Sequence, residues 1–486
     1  MRYTPLVVAL AVAGACIARP LAAQDAKQAV IRHVEAHAAE YGELAQRIWD
    51  LAEVGYQETR SSALLQARLR DAGFRVEAGV AGMPTAFVAS YGSGAPVIAL
   101  LAEFDALPGI TQDRVPERSP IADKPAGHAC GHHLFGTAST AAALAVKDWL
   151  ATTGRTGTIR LYGTPAEEGG AGKVYMVRAG LLDDADAVLH WHPSDENDAD
   201  ATSSLANKSA KFRFHGVSAH AAAAPDRGRS ALDAVEAMDH MVNMMREHVP
   251  QETRIHYVIT SGGSAPNVVP DFAEVYYYVR HPDPEMVRSI FDRVVKAAEG
   301  AAMGTGTEMT YEVIHGIYNL LPNVTLAELV HANLEAVGGV TYTPEERRFA
   351  DIVRRTLPDD APPVESAAEV RPFEVKLGGE GGSTDVGDVS WTVPTAGLNA
   401  ATWVPGTAAH SWQAIAAGGT SIGDKGMIVA AKALATSAVE LFQRPEVIAK
   451  AKAELEERRG PDYRYVSLVG DRDPPLDYRK AAQPSR

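Results

Sequence analysis

The chain has 486 residues, 46% of them hydrophobic and 22% charged, an ordinary globular composition with room for about two or three domains with real cores. A net charge of −15 and the lack of any Lys/Arg cluster argue against a nucleic-acid or anionic-membrane partner. The only cysteines are Cys16 and Cys130, and there is no internal repeat.

Residues 1–23 read as a secretory signal. Arg2 is the one early charge, 6–18 form an apolar run, and Pro20-Leu21-Ala22-Ala23 offers a cleavage site before Gln24. The run falls short of the about 20 apolar residues a membrane span needs, so no stable membrane insertion is expected. An uncleaved anchor or a lipid on Cys16 is the alternative, although Ala13-Gly14-Ala15 lacks the large aliphatic residue usual there. The reading places the protein in the periplasm or outside the cell. Cleavage would leave Cys130 as a lone thiol in an oxidising compartment, a liability unless something occupies it.

Apolar spacing predicts one helix over 27–54 and another over 59–72, stopping near Gly73. Strands follow at 74–76, 86–91 and 97–102. The last is continuously apolar, as in a strand buried on both faces, and it runs out into Glu103-Phe104-Asp105-Ala106-Leu107-Pro108. Acidic residues at such a strand end sit where open α/β sheets bind ligands, though Asp105 also suits a simple turn.

A polar loop over 109–126 leads into Gly127-His128-Ala129-Cys130-Gly131-His132-His133, with an Ala-rich helix after it. Cys130 and His132, two apart on a glycine turn, can face one metal ion, which would hold the sulfur as thiolate; a buried structural cysteine beside surface histidines is the bland alternative. The next strand, 158–162, runs into Thr164-Pro165-Ala166-Glu167-Glu168-Gly169-Gly170. Adjacent carboxylates point different ways, so one can bind metal while the other serves as a general base. Strand 187–189 ends in His190-Trp191-His192-Pro193, whose two histidines share a face.

From about 207 the pattern changes to strand, helix, strand, strand, helix, strand, the split βαβ order of a ferredoxin-like domain. His220, Asn267 and Arg280 are its polar marks, each singly more at home in a structural role. Beyond 320, α/β-type material returns: a helix at 325–336, a charged Pro-rich stretch at 343–372, and Gly381-Gly382-Ser383-Thr384-Asp385-Val386-Gly387-Asp388. Then come an apolar 391–394, Gly406-Thr407-Ala408-Ala409-His410-Ser411-Trp412 and a closing helix over 425–442. The charged tail after 458 reads as frayed.

In this order the motifs resemble the aminoacylase and carboxypeptidase family of two-metal amidohydrolases, and within it the aminobenzoyl-glutamate hydrolase B-subunit group. The resemblance spans about 30 to 445. It rests on Glu103-Phe-Asp-Ala-Leu-Pro108, His128-Ala-Cys-Gly-His132, Pro165-Ala-Glu-Glu-Gly-Gly-Ala-Gly-Lys173, Val217-Ser-Ala-His220, Ser383-Thr-Asp-Val-Gly-Asp-Val-Ser-Trp391 and His410-Ser-Trp-Gln413. It implies an α/β fold: a large di-metal catalytic domain, a mixed sheet flanked by helices, over 24–206 and 319–460. Inserted at 207–318 would be a ferredoxin-like α+β lid and dimerisation domain, with 461–486 as a tail.

The resemblance further implies Cys130, His132, Glu168, His192 and His410 as ligands of two divalent metals, zinc or manganese first, then cobalt or nickel, with a bridging thiolate at Cys130. Glu167 would be the general base, and His220 would reach into the partner's site of a homodimer. Asn267 and Arg280 would hold the substrate's carboxylate, with Asp105 and Asp385 in support and His190 at most behind the ligands. The chain departs from many relatives in having His133 where they have Asp. The expected reaction is metal-dependent hydrolysis of an amide bond in N-acyl or N-aroyl amino acids, or in dipeptides with a free C-terminus. Rivals are a thiol hydrolase built on Cys130 and a non-catalytic binding module on the same fold.

Overall fold

The computed structural model describes residues 15–379 and 381–479, with side chains from 24 onward. Most of the expected signal segment therefore lies outside the described residues. The first helix, α1 (Ala15–Ala36), is followed by α2 (Ala38–Leu51) and α3 (Thr59–Asp71). The single helix expected over 27–54 is thus two, broken at His37, and α2 ends at Ala52 in a left-handed conformation.

Strands β1 (Arg75–Ala78), β2 (Phe87–Ser93) and β3 (Val97–Ala102) follow, then the short β4 (Leu107–Pro108) and β5 (Ala126–Gly127). Helix α4 (His132–Thr153) leads to β6 (Gly157–Gly163), α5 (Gly172–Arg178), β7 (Ala187–Ser194) and β8 (Ala201–Ser203). The lid runs β9 (Ala206–His215), α6 (Ala231–Met245), β10 (Arg254–Ser261), β11 (Phe272–His281), α7 (Pro284–Thr305) and β12 (Glu308–Ile317). The chain then returns through α8 (Val324–Val337), α9 (Pro344–Arg354), β13 (Val375–Gly379), α10 (Val386–Ser390), β14 (Thr395–Ala401), α11 (Trp412–Gly418), α12 (Ser421–Gln443) and α13 (Pro445–Arg459).

The main sheet has the order β1-β2-β6-β3-β7-β14. It is mixed: β1, β2 and β6 pair antiparallel, while β6, β3, β7 and β14 run parallel. The central β3 is buried over Ile98–Ala102 because helices cover both faces of the sheet. On one face the small side chains of α4 and α12, Ala138, Ala142, Ala430 and Ala438 among them, let the helices lie close against it. On the other, Val174, Tyr175, Val386 and Val389 close a smaller core. Strand β14 escapes the sequence reading: Thr395-Ala-Gly-Leu-Asn-Ala-Ala401 lacks the β-branched run that marks strands, and β7 rather than propensity holds it extended.

The lid sheet has the order β10-β11-β9-β12, entirely antiparallel, with α6 and α7 packed on one face. This is the ferredoxin-like arrangement that the element order predicts. Phe212, Phe214, Val275 and Tyr277 from the sheet bury against Val235, Met238, Ile290 and Phe291 from the helices. The segment after α13 is packed as far as it is described, contrary to the frayed tail expected. Leu468 is fully buried in the lid core and Val469 in the catalytic domain's second core.

Candidate active site

Four parallel strands put their carboxyl ends at one edge of the sheet, and the sequence-predicted residues gather there. Glu103 and Asp105 follow β3, Glu167 and Glu168 follow β6, and His190 and His192 lie within β7. The turn 127–131 delivers Cys130 at the start of α4. Its Gly131 is left-handed, and any side chain there would collide with Pro193. His410, itself left-handed at φ 60°, arrives on the loop after β14 and donates its backbone N–H to the Ala129 carbonyl at 2.9 Å. That bond sets the distant His410 beside Cys130. A cavity of about 520 Å³ opens here, lined among others by Cys130, Glu167, Glu168, His190, His192 and His410.

Two triads of donor atoms share the thiol. Cys130, His132 and His192 offer ligand atoms within 4.8 Å of one another, as do Cys130, Glu168 and His410. Cys130 Sγ lies 3.4 Å from His192 Nε2, and His410 Nε2 lies 3.1 Å from Glu168 Oε1. The imidazoles are held by their other nitrogens, as second partners hold metal-ligating histidines. His192 Nδ1 donates to the Pro193 carbonyl at 2.7 Å, and His132 Nδ1 donates to Asp105 Oδ1 at 2.9 Å. His132 Nε2 and Glu168 Oε1 are buried and make no well-directed hydrogen bond; their nearest polar neighbours are Glu103 Oε2 and His410 Nε2, each at 3.1 Å. Buried polar atoms normally have partners, so this donor set fits cations.

The electrostatics agree. Burial pushes the Cys130 thiol up, so it needs a positive neighbour to ionise. Burial alone would lower His132, but Cys130, Glu103 and Asp105 outweigh it and hold the imidazole well above its ordinary value. Burial, with Glu103 and Glu168, raises Glu167 well above the usual carboxylate range.

Asp105 is completely buried and uses both oxygens, Oδ1 on His132 and Oδ2 on the Glu168 backbone N–H at 3.0 Å. His133, in the place where many relatives have Asp, turns away and donates from Nε2 to the Gly418 carbonyl at 2.9 Å. The orientation of His132 therefore rests on Asp105. Burial holds the His133 imidazole down at about 3, neutral.

A buried charge network behind the candidate ligands escapes the motif reading. Lys173, fully buried, bridges Glu103 Oε1 at 2.7 Å and Asp385 Oδ1 at 2.6 Å, and Glu103 Oε2 reaches His132 Nε2 at 3.1 Å. Asp385 also accepts the Lys173 backbone N–H at 2.9 Å. Glu103 and Lys173 belong to quoted motifs, but their pairing across 70 residues of sequence has no local signal. Glu58 is likewise hidden: it accepts the Ala166 N–H at 2.9 Å and so fixes the residue before Glu167.

The lid residues stand apart. His220 and Asn267 are exposed neighbours at the lid tip, joined by the Ala221 N–H on the Asn267 carbonyl, and neither lines the cavity. His220 Nδ1 accepts the Ala222 and Ala223 N–H groups, which leaves its proton on Nε2. Arg280 touches the cavity only through Ser383, at 3.4 Å, and its buried Nε is without a partner among the described residues.

The chain is similar to proteins of known family. Residues 206–306 match the peptidase dimerisation domain of the M20 type. The B-type subunit of p-aminobenzoyl-glutamate hydrolase from Escherichia coli K12 is 42% identical over 434 residues, covering 84% of this chain and 90% of that one. Mouse Xaa-Arg dipeptidase is 29% identical over 445 residues, covering 88% and 92%. A Bacillus subtilis dinuclear metal-binding peptidase of the M20 family shares the fold with a TM-score of 0.55 at 18% identity, over 84% of this chain and 99% of that one. The protein is a metal-dependent amidohydrolase. It belongs to the M20 peptidase family, with the B-type p-aminobenzoyl-glutamate hydrolase chain among its relatives.

Proposed function

We propose that the protein hydrolyses the amide bond of N-acyl or N-aroyl amino acids, or of dipeptides with a free C-terminal carboxylate, using two divalent cations. The observation that carries the reading is Cys130 standing in both donor triads. His132 and His192 would hold one cation, Glu168 and His410 the other, with the Cys130 sulfur shared. A thiolate and three imidazoles suit zinc, with manganese, cobalt and nickel as alternatives. Bound cations would acidify water and polarise the scissile carbonyl.

Glu167 would take the proton of the attacking water and return it to the leaving amine, a role that its raised proton affinity suits. His220, with its proton on Nε2, would donate to the oxygen that becomes negative in the transition state. In this chain it is too far out to line its own cavity, so the reading assigns it to the site of a second copy. Exposed Tyr257, Val258 and Ile259 on the edge strand β10, with exposed Val217 and Val268 in the lid loops, support a homodimer through the lid. A related but different chain, as the name of the Escherichia coli relative implies for that protein, is the alternative partner. Arg280 would bind the substrate carboxylate, and Asn267, exposed beside His220, would join it from the second copy. Export to the periplasm rests on the apolar run at 6–18 and the small residues before Gln24.

One observation favours a second reading: Cys130 Sγ and His192 Nε2 at 3.4 Å also resemble a thiol–imidazole pair. It leaves the Glu168–His410 pair without a task, and burial keeps the thiol protonated. The experiment is release of free amino acid from N-acyl amino acids, aminobenzoyl-glutamate and dipeptides, with and without chelator. Loss on chelation and recovery with divalent ions support the cation reading. Chelator-indifferent activity, with alkylation of the cation-free protein abolishing it, would move the chemistry to Cys130.

A further inference from the structure

The Glu167-Glu168 turn has little regular structure to hold it. Ala166 at φ 58° and Gly169 at φ 89° flank it in left-handed conformations, and it lies between a strand and a short helix. The Glu168 peptide is nonetheless pinned at both ends. Asp105 takes its N–H. Its carbonyl accepts two hydrogen bonds from the chain's last described residues, Tyr478 Oη at 2.9 Å and Arg479 Nη2 at 2.7 Å. A residue about 310 positions away thus fixes the peptide of a proposed cation ligand.

The path of the tail explains why these groups stand there. After α13 the chain buries Leu468 in the lid core and Val469 in the catalytic domain. Arg472 donates to the carbonyls of Val313 and Ile314 on β12 and pairs with Glu312. Gln57 donates to the Leu476 carbonyl at 2.8 Å, and the Tyr478 ring meets Tyr56 edge-on, with centroids 5.7 Å apart. Gly55 leaves room for the hydroxyl, because a side-chain carbon there would collide with it. The segment 461–479 is therefore a strap across the lid and the catalytic domain whose end clamps Glu168.

We infer that Tyr478 and Arg479 are positioning residues for the cation site. By holding the Glu168 carbonyl they set where its carboxylate stands beside Cys130 and His410. This rests on the two-cation reading. A hydroxyl and a guanidinium converging on one carbonyl would restrict the rotation of that peptide, and groups behind metal ligands commonly tune affinity.

The test uses the full chain and four variants: Tyr478→Phe, Arg479→Ala, their combination, and Arg479→Lys as a conservative rescue. Zinc affinity is read by competition with a chromogenic chelator, alongside kcat, KM and thermal midpoint. The expected result is a loss of about 10–100-fold in affinity for one of the two cations in the double variant, with kcat falling and KM nearly constant. Arg479→Lys should recover part of both. If the double variant does not fold, Tyr478→Phe, which removes one oxygen, carries the test. Variants that melt earlier yet bind both cations and turn over like the parent would show a merely structural strap and overturn the inference. A parent chain that binds no cation would instead remove the two-cation reading and the clamp with it.

Discussion

Asp105 and His132, both completely buried, are joined Oδ1 to Nδ1 at 2.9 Å, and that bond decides which imidazole nitrogen faces the thiol. The second oxygen of Asp105 holds the Glu168 backbone, so one carboxylate aligns a ligand from each donor triad. Asp105→Asn keeps the volume and one acceptor but puts an amide N–H₂ against an N–H. Its metal affinity should fall about 10–100-fold, measured by titration against a competing chelator. Unchanged affinity would deny Asp105 this role.

Glu167→Gln should leave metal content intact and lower kcat by about 10²–10⁴, the range for a lost general acid–base group. Metal analysis and steady-state kinetics on one preparation check it. Retained turnover would move the base elsewhere.

His220→Ala should cost about 10²–10³ in kcat, as for other lost oxyanion donors. Since His220 does not line the cavity of its own chain, mixing His220→Ala with Glu167→Gln should restore activity. Each mixed dimer would hold one complete site. Activity of the mixture no greater than that of the separate variants would contradict the exchange across a dimer.

Asp388 gives a pH signature unrelated to the cations. It is fully buried and accepts the Tyr465 hydroxyl at 2.6 Å and the Tyr318 N–H at 2.9 Å, tying the strap to α10. Burial raises its carboxyl to about 7, although both hydrogen bonds oppose the shift. The folded state therefore holds a proton that the unfolded chain releases near its ordinary value. The resulting stability is complete below about pH 4 and is lost as pH rises through about 7, by at most about 4 kcal/mol. Asp388→Asn should flatten the fall in thermal midpoint between about pH 4 and pH 7, as followed by circular dichroism.

Leu468→Ala should lower stability by about 2–5 kcal/mol, the usual range for emptying a buried leucine site. Denaturant unfolding reads it. A loss below about 0.5 kcal/mol, as at a surface position, would mean that the strap is not anchored in the lid.

The proposed ligand positions are legible because they fall in short motifs that carry the resemblance to the two-metal amidohydrolases. Cys130 and His132 share one turn, Glu167 and Glu168 another, and His192 closes an apolar strand. What joins them is not legible. Lys173 closes a quoted motif with no legible task until the fold brings Glu103 and Asp385 to its ammonium. Strand β14 carries no strand signal of its own, since its extended form comes from β7. The tail reads as frayed because charge and proline mark solvated chain. Tyr465, Leu468, Arg472 and Tyr478 are spaced with no period, each meeting a different part of the surface. The lid is the opposite case: alternation in Lys211-Phe212-Arg213-Phe214 and the element order alone give its topology.

The most direct test of the central claim is an anomalous-diffraction experiment on crystals of the full chain grown with zinc. Two anomalous peaks are expected, one among Cys130, His132 and His192 and one among Cys130, Glu168 and His410, with the Cys130 sulfur bonded to both. A single peak, no peak, or peaks away from Cys130 would contradict a shared thiolate between two cations.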